Sequence, residues 1–315
     1  MTLTELRYLV ALDAERHFGR AAERSFVSQP TLSVALKKLE EQLGITLFER
    51  HRGEARPTPV GARIIEQAHR VLAEAEQIKR IAAEGKDELS STLRVGAIYT
   101  VGPYLFPHLM PALRAQFPGM PLMIEENYTD ALARRLKQNE LDVIVLALPF
   151  APPGTVTWPV YDEEFVVAMP LEHAWTERSA IKAAELGKEN VLLLGPGNCF
   201  RDQVLAACPD CQEMEVEGQG SLAGSSLETI RHMVASGLGI TVMPQSAAEE
   251  PAENSLLAIR PFAKPRPARR IALAWRRSFP RPKAVAALHS AIMSCRLAGV
   301  RLLPDALQQS QGDES

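Results

Sequence analysis

The chain has 315 residues, of which 46% are hydrophobic and 23% charged, and its formal net charge is −3. These values are typical of a globular protein of two or three domains, and they exclude a chain that binds nucleic acid through an overall positive charge. The first residues carry charges without the apolar stretch of a signal peptide, and no segment has the length of a membrane span. We therefore expect a cytoplasmic protein without a membrane partner.

The first sixty residues predict three helices. Leu3–Ala14 and Gly19–Arg24 have the spacing of short helices, and Ser28 is placed to cap a third helix over Gln29–Leu43. The predicted inward positions are Leu6, Leu9, Val10 and Ala14 in the first helix and Leu32, Leu36, Leu39 and Leu43 in the third. Two short helices joined by a tight turn indicate a helix-turn-helix, although a plain three-helix bundle with a solvated polar face has the same pattern.

The outward face of the third helix carries short polar groups near its start and lysines farther along. Such groups suit base edges and phosphate oxygens in the major groove of DNA. The polar segment His51–Arg56 that follows is typical of the wing of a winged helix, or of an ordinary basic loop. The candidate DNA-binding residues are Ser28, Gln29, Pro30, Thr31, Ser33, Lys37, Arg50 and Arg52.

A long helix is predicted to begin at Thr58–Pro59, where threonine can cap it and proline fits the first helical position. Apolar residues then recur at alternating spacings of four and three, at Ile64, Ala68, Val71, Ala75, Ile78 and Ala82. Such a seam needs a partner helix, which predicts a homodimer through this segment. The alternative is a single helix packed on the next domain.

From Leu93 onward, strands and helices alternate. The order strand, helix, strand, helix, strand over residues 93–148 predicts an α/β fold with a parallel sheet covered by helices on both faces. A second set of strands and helices follows up to Leu297, and it includes a helix expected over Ser179–Leu186. Ligands of such sheets bind beyond the carboxyl ends of the strands, where Thr100, Thr129 and Cys199 all lie.

Three of the four cysteines lie between Gly195 and Cys211. Cys199 follows a turn signal and opens a predicted helix over Phe200–Ala207, so its sulfur is expected near a helix N-terminus, a position that lowers the pKa of a thiol. If residues 199–208 formed one helix, Cys199 and Cys208 would be about 13.5 Å apart, whereas a disulfide needs about 4.4–6.8 Å between Cα atoms. A disulfide between them would therefore require the segment to change its backbone conformation.

Other interpretations of these cysteines stay open. Each could be a small buried apolar residue, and Cys295 has the pattern of a core position. Cys199, Cys208 and Cys211 could also hold a metal ion, although the sequence offers no evident fourth ligand. Four cysteines in a reducing compartment favour a transient disulfide over a permanent one.

Short motifs along the chain match a known family in sequence and spacing. In the first half they are Thr4–Tyr8, His17–Ala22, Val27–Ser33, Lys38–Gly44, Leu47–Arg50 and Thr58–Gly61. This half resembles LysR-type transcriptional regulators. In the second half, Val95–Pro107, Cys199–Gln203 and Ser225–Gly239 are similar to the hydrogen-peroxide sensors of that family, so the resemblance covers essentially the whole chain.

The resemblance implies an N-terminal all-α winged helix-turn-helix, a linker helix, and a two-lobed effector domain like periplasmic binding proteins within an α/β fold. It also implies a homotetramer that binds double-stranded promoter DNA and acts with RNA polymerase. The expected domains are residues 1–58 for DNA binding, 59–90 for the linker (dimerisation) helix and hinge, 91–303 for the effector domain, and 304–315 for a loose tail. Within the effector domain, lobe I comprises about 91–162 and 268–303, and lobe II about 163–267.

For the site, the resemblance implies that peroxide oxidises Cys199 to a sulfenic acid and that Cys208 resolves it to a disulfide that changes DNA binding. It implies a peroxide pocket formed by Thr100, Thr129, Asn198 and Arg269, with Arg270 as an alternative register for the arginine. Asn198 stands where many such sensors have histidine. No cofactor or metal is implied.

Two other functions remain open at this point. A regulator of the same family could bind a small organic effector in the cleft between the lobes while its cysteines stay silent. Alternatively, Cys199 or the Cys208/Cys211 pair could serve a thiol peroxidase or disulfide reductase. The predicted DNA-binding domain and the absence of a nicotinamide or flavin motif favour a regulator over an enzyme.

Overall fold

A computed structural model describes residues 1–51, 54–84, 88–209, 226–248 and 256–303. The chain forms two compact units, one of residues 1–86 with 137–140, and the other of residues 87–136 and 141–315. Within the described ranges, none of the helices combines the length and the apolar character needed to cross a lipid bilayer. The expected tail at 304–315 lies outside the described residues.

The first unit consists of four helices and a hairpin. Their bounds are α1 Leu3–Glu15, α2 Phe18–Arg24, α3 Gln29–Leu43, β1 Phe48–His51, β2 Glu54–Pro57 and α4 Pro59–Glu84. Strands β1 and β2 pair antiparallel, so the polar segment after α3 is a hairpin, as expected of a wing. The side chain of Arg50 and the whole of Arg52 lie outside the described residues.

Local capping signals set the helix starts. The Ser28 hydroxyl accepts the Thr31 N–H at 3.3 Å, and the Thr58 hydroxyl accepts the Gly61 N–H at 2.9 Å, as the sequence predicted. Thr2 and Glu5 form a capping box at α1, and His17 Nδ1 accepts the Gly19 N–H at 3.1 Å to cap α2.

Two predicted core positions are wrong. Ala14 is exposed and Leu12 is fully buried in its place, because the buried stripe of α1 runs through Glu5, Leu9 and Leu12. Leu43 is 38% exposed because α3 ends there, at Gly44 in the left-handed conformation. The other predicted leucines of α1 and α3 are buried.

The predicted seam of α4 divides into two parts. Ala68 is buried in the core of the first unit, and Ile64 and Val71 pack against that core. Ile78 is 70% exposed, and the side chain of Ala82 lies outside the described residues. The first half of α4 therefore stabilises its own unit. Among the predicted seam positions that the structure describes, Ala75 is half-buried and Ile78 is the one left largely exposed.

The second unit is built on a mixed sheet with helices around it. Its elements are β3 Leu93–Ile98, α5 Gly102–Gln116, β4 Leu122–Asn127, α6 Thr129–Lys137, β5 Val143–Ala147, β6 Thr155–Pro170, β7 Val191–Leu192, α7 Cys199–Ala207, α8 Leu227–Ala235, β8 Ile240–Pro244, β9 Leu257–Pro261, β10 Ala268–Arg276, α9 Pro282–Ser294 and β11 Val300–Leu302. Strands β4, β3 and β5 are parallel, as expected. Strand β10 is antiparallel to β5, so the sheet as a whole is mixed rather than parallel. The helix expected over 179–186 is instead a 3-10 helix over Ala183–Lys188.

Strand β6 connects two separate hydrophobic cores. Its residues 155–164 pair with β10, and residues 165–170 pair with β8 and β9. One core includes Val95, Val143 and Leu288, and the other includes Phe165 and Val204. The strand that crosses between the cores thus carries Glu163 and Phe165 at the changeover.

Candidate functional site

Helix α7 begins at Cys199, as the sequence predicted. Asn198 is extended at the N-cap position, and the Arg201 N–H donates to the Asn198 carbonyl oxygen at 3.0 Å. The Asn198 side chain does not cap the helix but donates to the Gly195 carbonyl oxygen at 3.1 Å. The half-buried Cys199 therefore lies where the helix presents backbone N–H groups and a positive dipole end.

Cys199 lines a small cavity between the two cores. The space open to the centre of a water-sized sphere has a volume of about 10 Å³. This is enough for about one small molecule. The lining residues come from the ends of β3 and β4 and from the start of α7: Ile98, Tyr99, Thr100, Asn127, Tyr128, Thr129, Gly197, Asn198, Cys199 and Phe200. The structure thus brings Thr100, Thr129 and Asn198 together with Cys199.

Thr129 contributes an unengaged hydroxyl to this cavity. Among the described residues, its Oγ1 is buried and has no hydrogen-bond partner. A buried hydroxyl without a partner is costly, so a polar molecule in the cavity would be stabilised by pairing with it.

Arg269 lies behind the cavity rather than among its lining residues. Its Nη1 donates to Thr100 Oγ1 at 2.7 Å and its Nη2 to the Thr100 carbonyl oxygen at 2.8 Å. Arg270 points to the opposite face of β10, where it is half exposed and pairs with Asp162. Of the two arginines that the sequence left as alternatives, Arg269 is therefore the one that contacts Thr100.

Cys208 lies beyond the other end of α7. It is buried in the second core, and its N–H donates to the Val204 carbonyl oxygen at 2.9 Å. Because nine helical residues run from Cys199 to Ala207, the two sulfur-bearing residues are about 13.5 Å apart along the helix. The pair cannot form a disulfide while α7 is intact.

The remaining cysteines differ from this pair. Cys295 is a core residue, as predicted: it is buried, its Sγ donates to the Ala291 carbonyl oxygen at 3.2 Å, and burial raises the pKa of its thiol to about 11. Cys211 lies outside the described residues. In the part of the chain that the structure describes, no three metal-ligating side chains cluster.

The first unit presents the predicted polar face of α3. Ser28, Gln29, Pro30, Thr31 and Lys37 are exposed, and Ser33 is half-buried. Lys37 Nζ lies 3.9 Å from Glu41 at the exposed surface, a distance at which the lysine stays available to another anion. A capped helix with this face, preceded by a short helix and followed by a hairpin, is the geometry of a winged helix-turn-helix.

Comparison with known proteins agrees with both units. Residues 3–62 match the bacterial regulatory helix-turn-helix proteins of the lysR family, and residues 86–294 match the LysR substrate binding domain. The chain belongs to the LysR family. Its curated relatives include the DNA-binding transcriptional dual regulator OxyR of Escherichia coli K12, which is 37% identical over 280 residues, 89% of this chain and 91% of the relative. The hydrogen peroxide-inducible genes activator of Haemophilus influenzae is 35% identical over 89% of this chain and 92% of that protein.

Solved structures similar to this LysR-family chain include OxyR proteins. A full-length cysteine mutant from Pseudomonas aeruginosa is 51% identical, with a TM-score of 0.74 over 96% of this chain and 98% of that one. A cysteine mutant from Corynebacterium glutamicum described as H2O2-bound is 32% identical, with a TM-score of 0.62 over 93% of this chain and 91% of that one. The two-domain α/β architecture is therefore that of OxyR structures.

Sequence reasoning missed the two tyrosines that line the cavity, Tyr99 and Tyr128, and a carboxylate behind it. Glu163 is fully buried; its Oε2 accepts Arg269 Nε at 2.8 Å, and its Oε1 accepts the Ser246 N–H at 3.0 Å. Arg269 also lies 5.1 Å from the ring centroid of Phe200, the residue after Cys199. The only sequence signal was a carboxylate inside a strand, which by itself does not indicate a partner 106 residues away.

Proposed function

We propose that this LysR-family protein is a DNA-binding transcriptional regulator that senses hydrogen peroxide through reversible oxidation of Cys199 to a Cys199–Cys208 disulfide. The observation that carries the proposal is the position of Cys199, at the N-terminus of α7 and in a cavity sized for one small molecule. The names of the OxyR relatives support the same signal.

The chemistry balances with peroxide as the only oxidant. The Cys199 thiolate attacks one peroxide oxygen; an S–O bond forms, the O–O bond breaks, and the leaving hydroxide takes a proton to become water. The Cys208 thiolate then attacks the sulfenic sulfur; an S–S bond forms and the sulfenic oxygen leaves as a second water. The two thiols lose two electrons, peroxide gains them, and a cellular dithiol protein restores the reduced form.

The residues around Cys199 take distinct roles in this proposal. The unengaged Thr129 hydroxyl and the Thr100 hydroxyl hold the peroxide oxygens, and the α7 N-terminus stabilises negative charge on the sulfur. Arg269 positions Thr100 from behind. Asn198 shapes the turn through its bond to Gly195, a role that does not require a titratable side chain.

The signal is the loss of α7. Because Cys199 and Cys208 bracket the whole helix, a disulfide between them forces residues 200–207 to unwind. Phe200 and Val204, which α7 buries in the second core, must then leave their places. A covalent event at one sulfur thereby becomes a rearrangement of the domain.

The rest of the chain provides the response. We propose that α3 and the hairpin bind double-stranded promoter DNA in the cytoplasm, where the regulator acts with RNA polymerase. We assign residues 1–58 to DNA binding, 59–90 to linker and dimerisation, and 91–303 to sensing, with lobes that meet along β6 near residue 163. The exposed Ile78 on α4 supports a homodimer through the linker helix, and sensing domains would join such dimers into a homotetramer.

A response to an organic effector has less support. Pockets for organic ligands measure about 300–1,000 Å³, whereas the cavity beside Cys199 offers about 10 Å³. The deciding experiment treats the full-length reduced protein with one equivalent of hydrogen peroxide, maps its thiols by mass spectrometry, and footprints a target promoter in parallel. A Cys199–Cys208 peptide with a changed footprint supports the proposal. Unmodified Cys199 after this treatment contradicts it.

A further inference from the structure

Two tyrosines form one wall of the Cys199 cavity. Tyr99 follows β3 and Tyr128 follows β4, and their rings meet edge to face, with centroids 5.2 Å apart at an interplanar angle of 78°. Both residues follow parallel strands of the sheet, and the start of α7 lines the same cavity. Such a pair stabilises a fixed ring arrangement beyond its buried area.

The Tyr128 ring also reaches the turn that leads into α7. A Cβ added at Gly197 would lie 3.9 Å from Tyr128 Cδ1, so the ring is in van der Waals reach of that turn. The backbone of Tyr128 is held on both sides, because its N–H donates to Asn127 Oδ1 at 2.9 Å and its carbonyl oxygen accepts the Leu132 N–H at 3.0 Å. The ring is therefore anchored at its base and 39% exposed to solvent.

We infer that Tyr128, braced by Tyr99, determines which peroxides reach Cys199. This inference rests on the proposed peroxide-sensing function. Hydrogen peroxide places only two oxygens in the cavity, whereas an organic hydroperoxide must place its carbon substituent where the tyrosine rings pack. Thiolate attack on the terminal oxygen would expel hydroxide from hydrogen peroxide and an alkoxide from an organic hydroperoxide. The reaction at sulfur is the same in both cases. The tyrosine wall therefore discriminates between the two peroxides by size.

The expected effect of the tyrosine wall on the oxidation rates is large enough to measure. A steric mismatch of one or two methylene groups against a packed pocket commonly changes rates by about 10–200-fold. The brace matters because an isolated exposed ring would rotate away at little cost, whereas the edge-to-face pair with Tyr99 and the contact at Gly197 restrict it. Both rings are hydrocarbon walls for this purpose, so the phenol oxygens are not required.

The test compares oxidation rates of Cys199 by hydrogen peroxide and by cumene hydroperoxide in the full-length protein. In Tyr128→Ala the ratio of the two rates should fall about tenfold or more in favour of the organic peroxide. Tyr128→Phe should keep the wild-type ratio because it keeps the ring. Leu171→Ala, which removes an exposed apolar side chain elsewhere in the unit, is the matched control.

Tyr128→Leu and Tyr99→Leu extend the test if the alanine variant is unstable, since each keeps apolar volume while removing one ring of the pair. For both leucine variants, the rate ratio should fall less than it does for Tyr128→Ala. The inference is overturned if hydrogen peroxide oxidises Cys199 and every variant keeps the wild-type ratio. If hydrogen peroxide leaves wild-type Cys199 reduced, the proposed function itself fails and the inference falls with it.

Discussion

Arg269 and Glu163 form a fully buried ion pair, with 2.8 Å between Nε and Oε2 and side-chain exposures of 1% and 0%. The same guanidinium holds Thr100 at the Cys199 cavity, and the same carboxylate holds the Ser246 N–H. One pair therefore ties the wall of the site to the strand that crosses between the two cores.

Removing the charge of Glu163 should destabilise the protein strongly. Glu163→Gln leaves Arg269 buried without its counter-ion, and breaking one side of such a pair commonly costs about 3–5 kcal/mol. Urea unfolding of the reduced protein measures the loss. A stability equal to wild type would show that the guanidinium finds another anion.

Asp162, the neighbour of Glu163 on β6, provides the control for that variant. It pairs with Arg270 and Arg301, whose side chains are 50% and 76% exposed, so Asp162→Asn should cost less than about 1 kcal/mol. Hydrogen bonds from Arg270 and Arg301 lower the pKa of Asp162. Its contribution is therefore complete above the unfolded-state pKa of about 4 and disappears as pH falls through the lowered value, where variant and wild type should converge.

Substitution of the two cysteines of the proposed switch should block the response to peroxide at different steps. Cys199→Ser should abolish oxidation, because a serine hydroxyl does not form a sulfenic acid. Cys208→Ser should still be oxidised but retain α7 and the DNA footprint of the reduced protein. Mass spectrometry and amide exchange over residues 200–207 distinguish the two outcomes, and a Cys208–Cys211 link with reduced Cys199 would contradict the scheme.

Alkylation should rank the described cysteines by burial and pKa. At pH 8 iodoacetamide should modify the half-buried Cys199 first, while Cys208 and Cys295 react only on unfolding, because both are buried and the pKa of Cys295 is raised to about 11. Peptide mapping over a time course checks the order, and faster labelling of Cys295 than of Cys199 would contradict it.

Substitutions on the polar face of α3 should change the affinity for DNA and the preference for a DNA sequence separately. Lys37→Ala should weaken binding to all DNA sequences and reduce the slope of log affinity against log salt by about one, because one phosphate contact is lost. Gln29→Ala should instead relax the preference for a target base pair, worth about 1–3 kcal/mol. Binding titrations against matched and mismatched duplexes over a salt series measure both. If neither the salt slope nor the sequence preference changes, DNA binds to another surface of the protein.

The second half of α4 should carry the dimer contact. Ile78→Asp places a charge at an apolar position that is 70% exposed in the single chain, so it should dissociate dimers without unfolding the protomer. Ala62→Asp, exposed and about 160° around the helix, is the control. Sedimentation measures the assembly. A native oligomer in Ile78→Asp would exclude this contact.

The sequence by itself determined the features that depend on a few neighbouring residues. The caps at Ser28 and Thr58, and the start of α7 at Cys199, follow from groups within three or four positions, so local patterns predicted them correctly. The resemblance to LysR-type regulators placed Thr100, Thr129 and Asn198 near Cys199, and the structure brings these residues to one cavity.

Only the tertiary structure decided which distant residues meet. Arg269 rather than Arg270 faces the site because antiparallel pairing of β10 with β6 fixes which side chains point inward, and that register is set by contacts more than a hundred residues apart. The partnership with Glu163 and the bracing of Tyr128 by Tyr99 arise in the same way. Leu12 replaced Ala14 in the core because the packing of neighbouring helices, not the spacing alone, selects the buried stripe of α1.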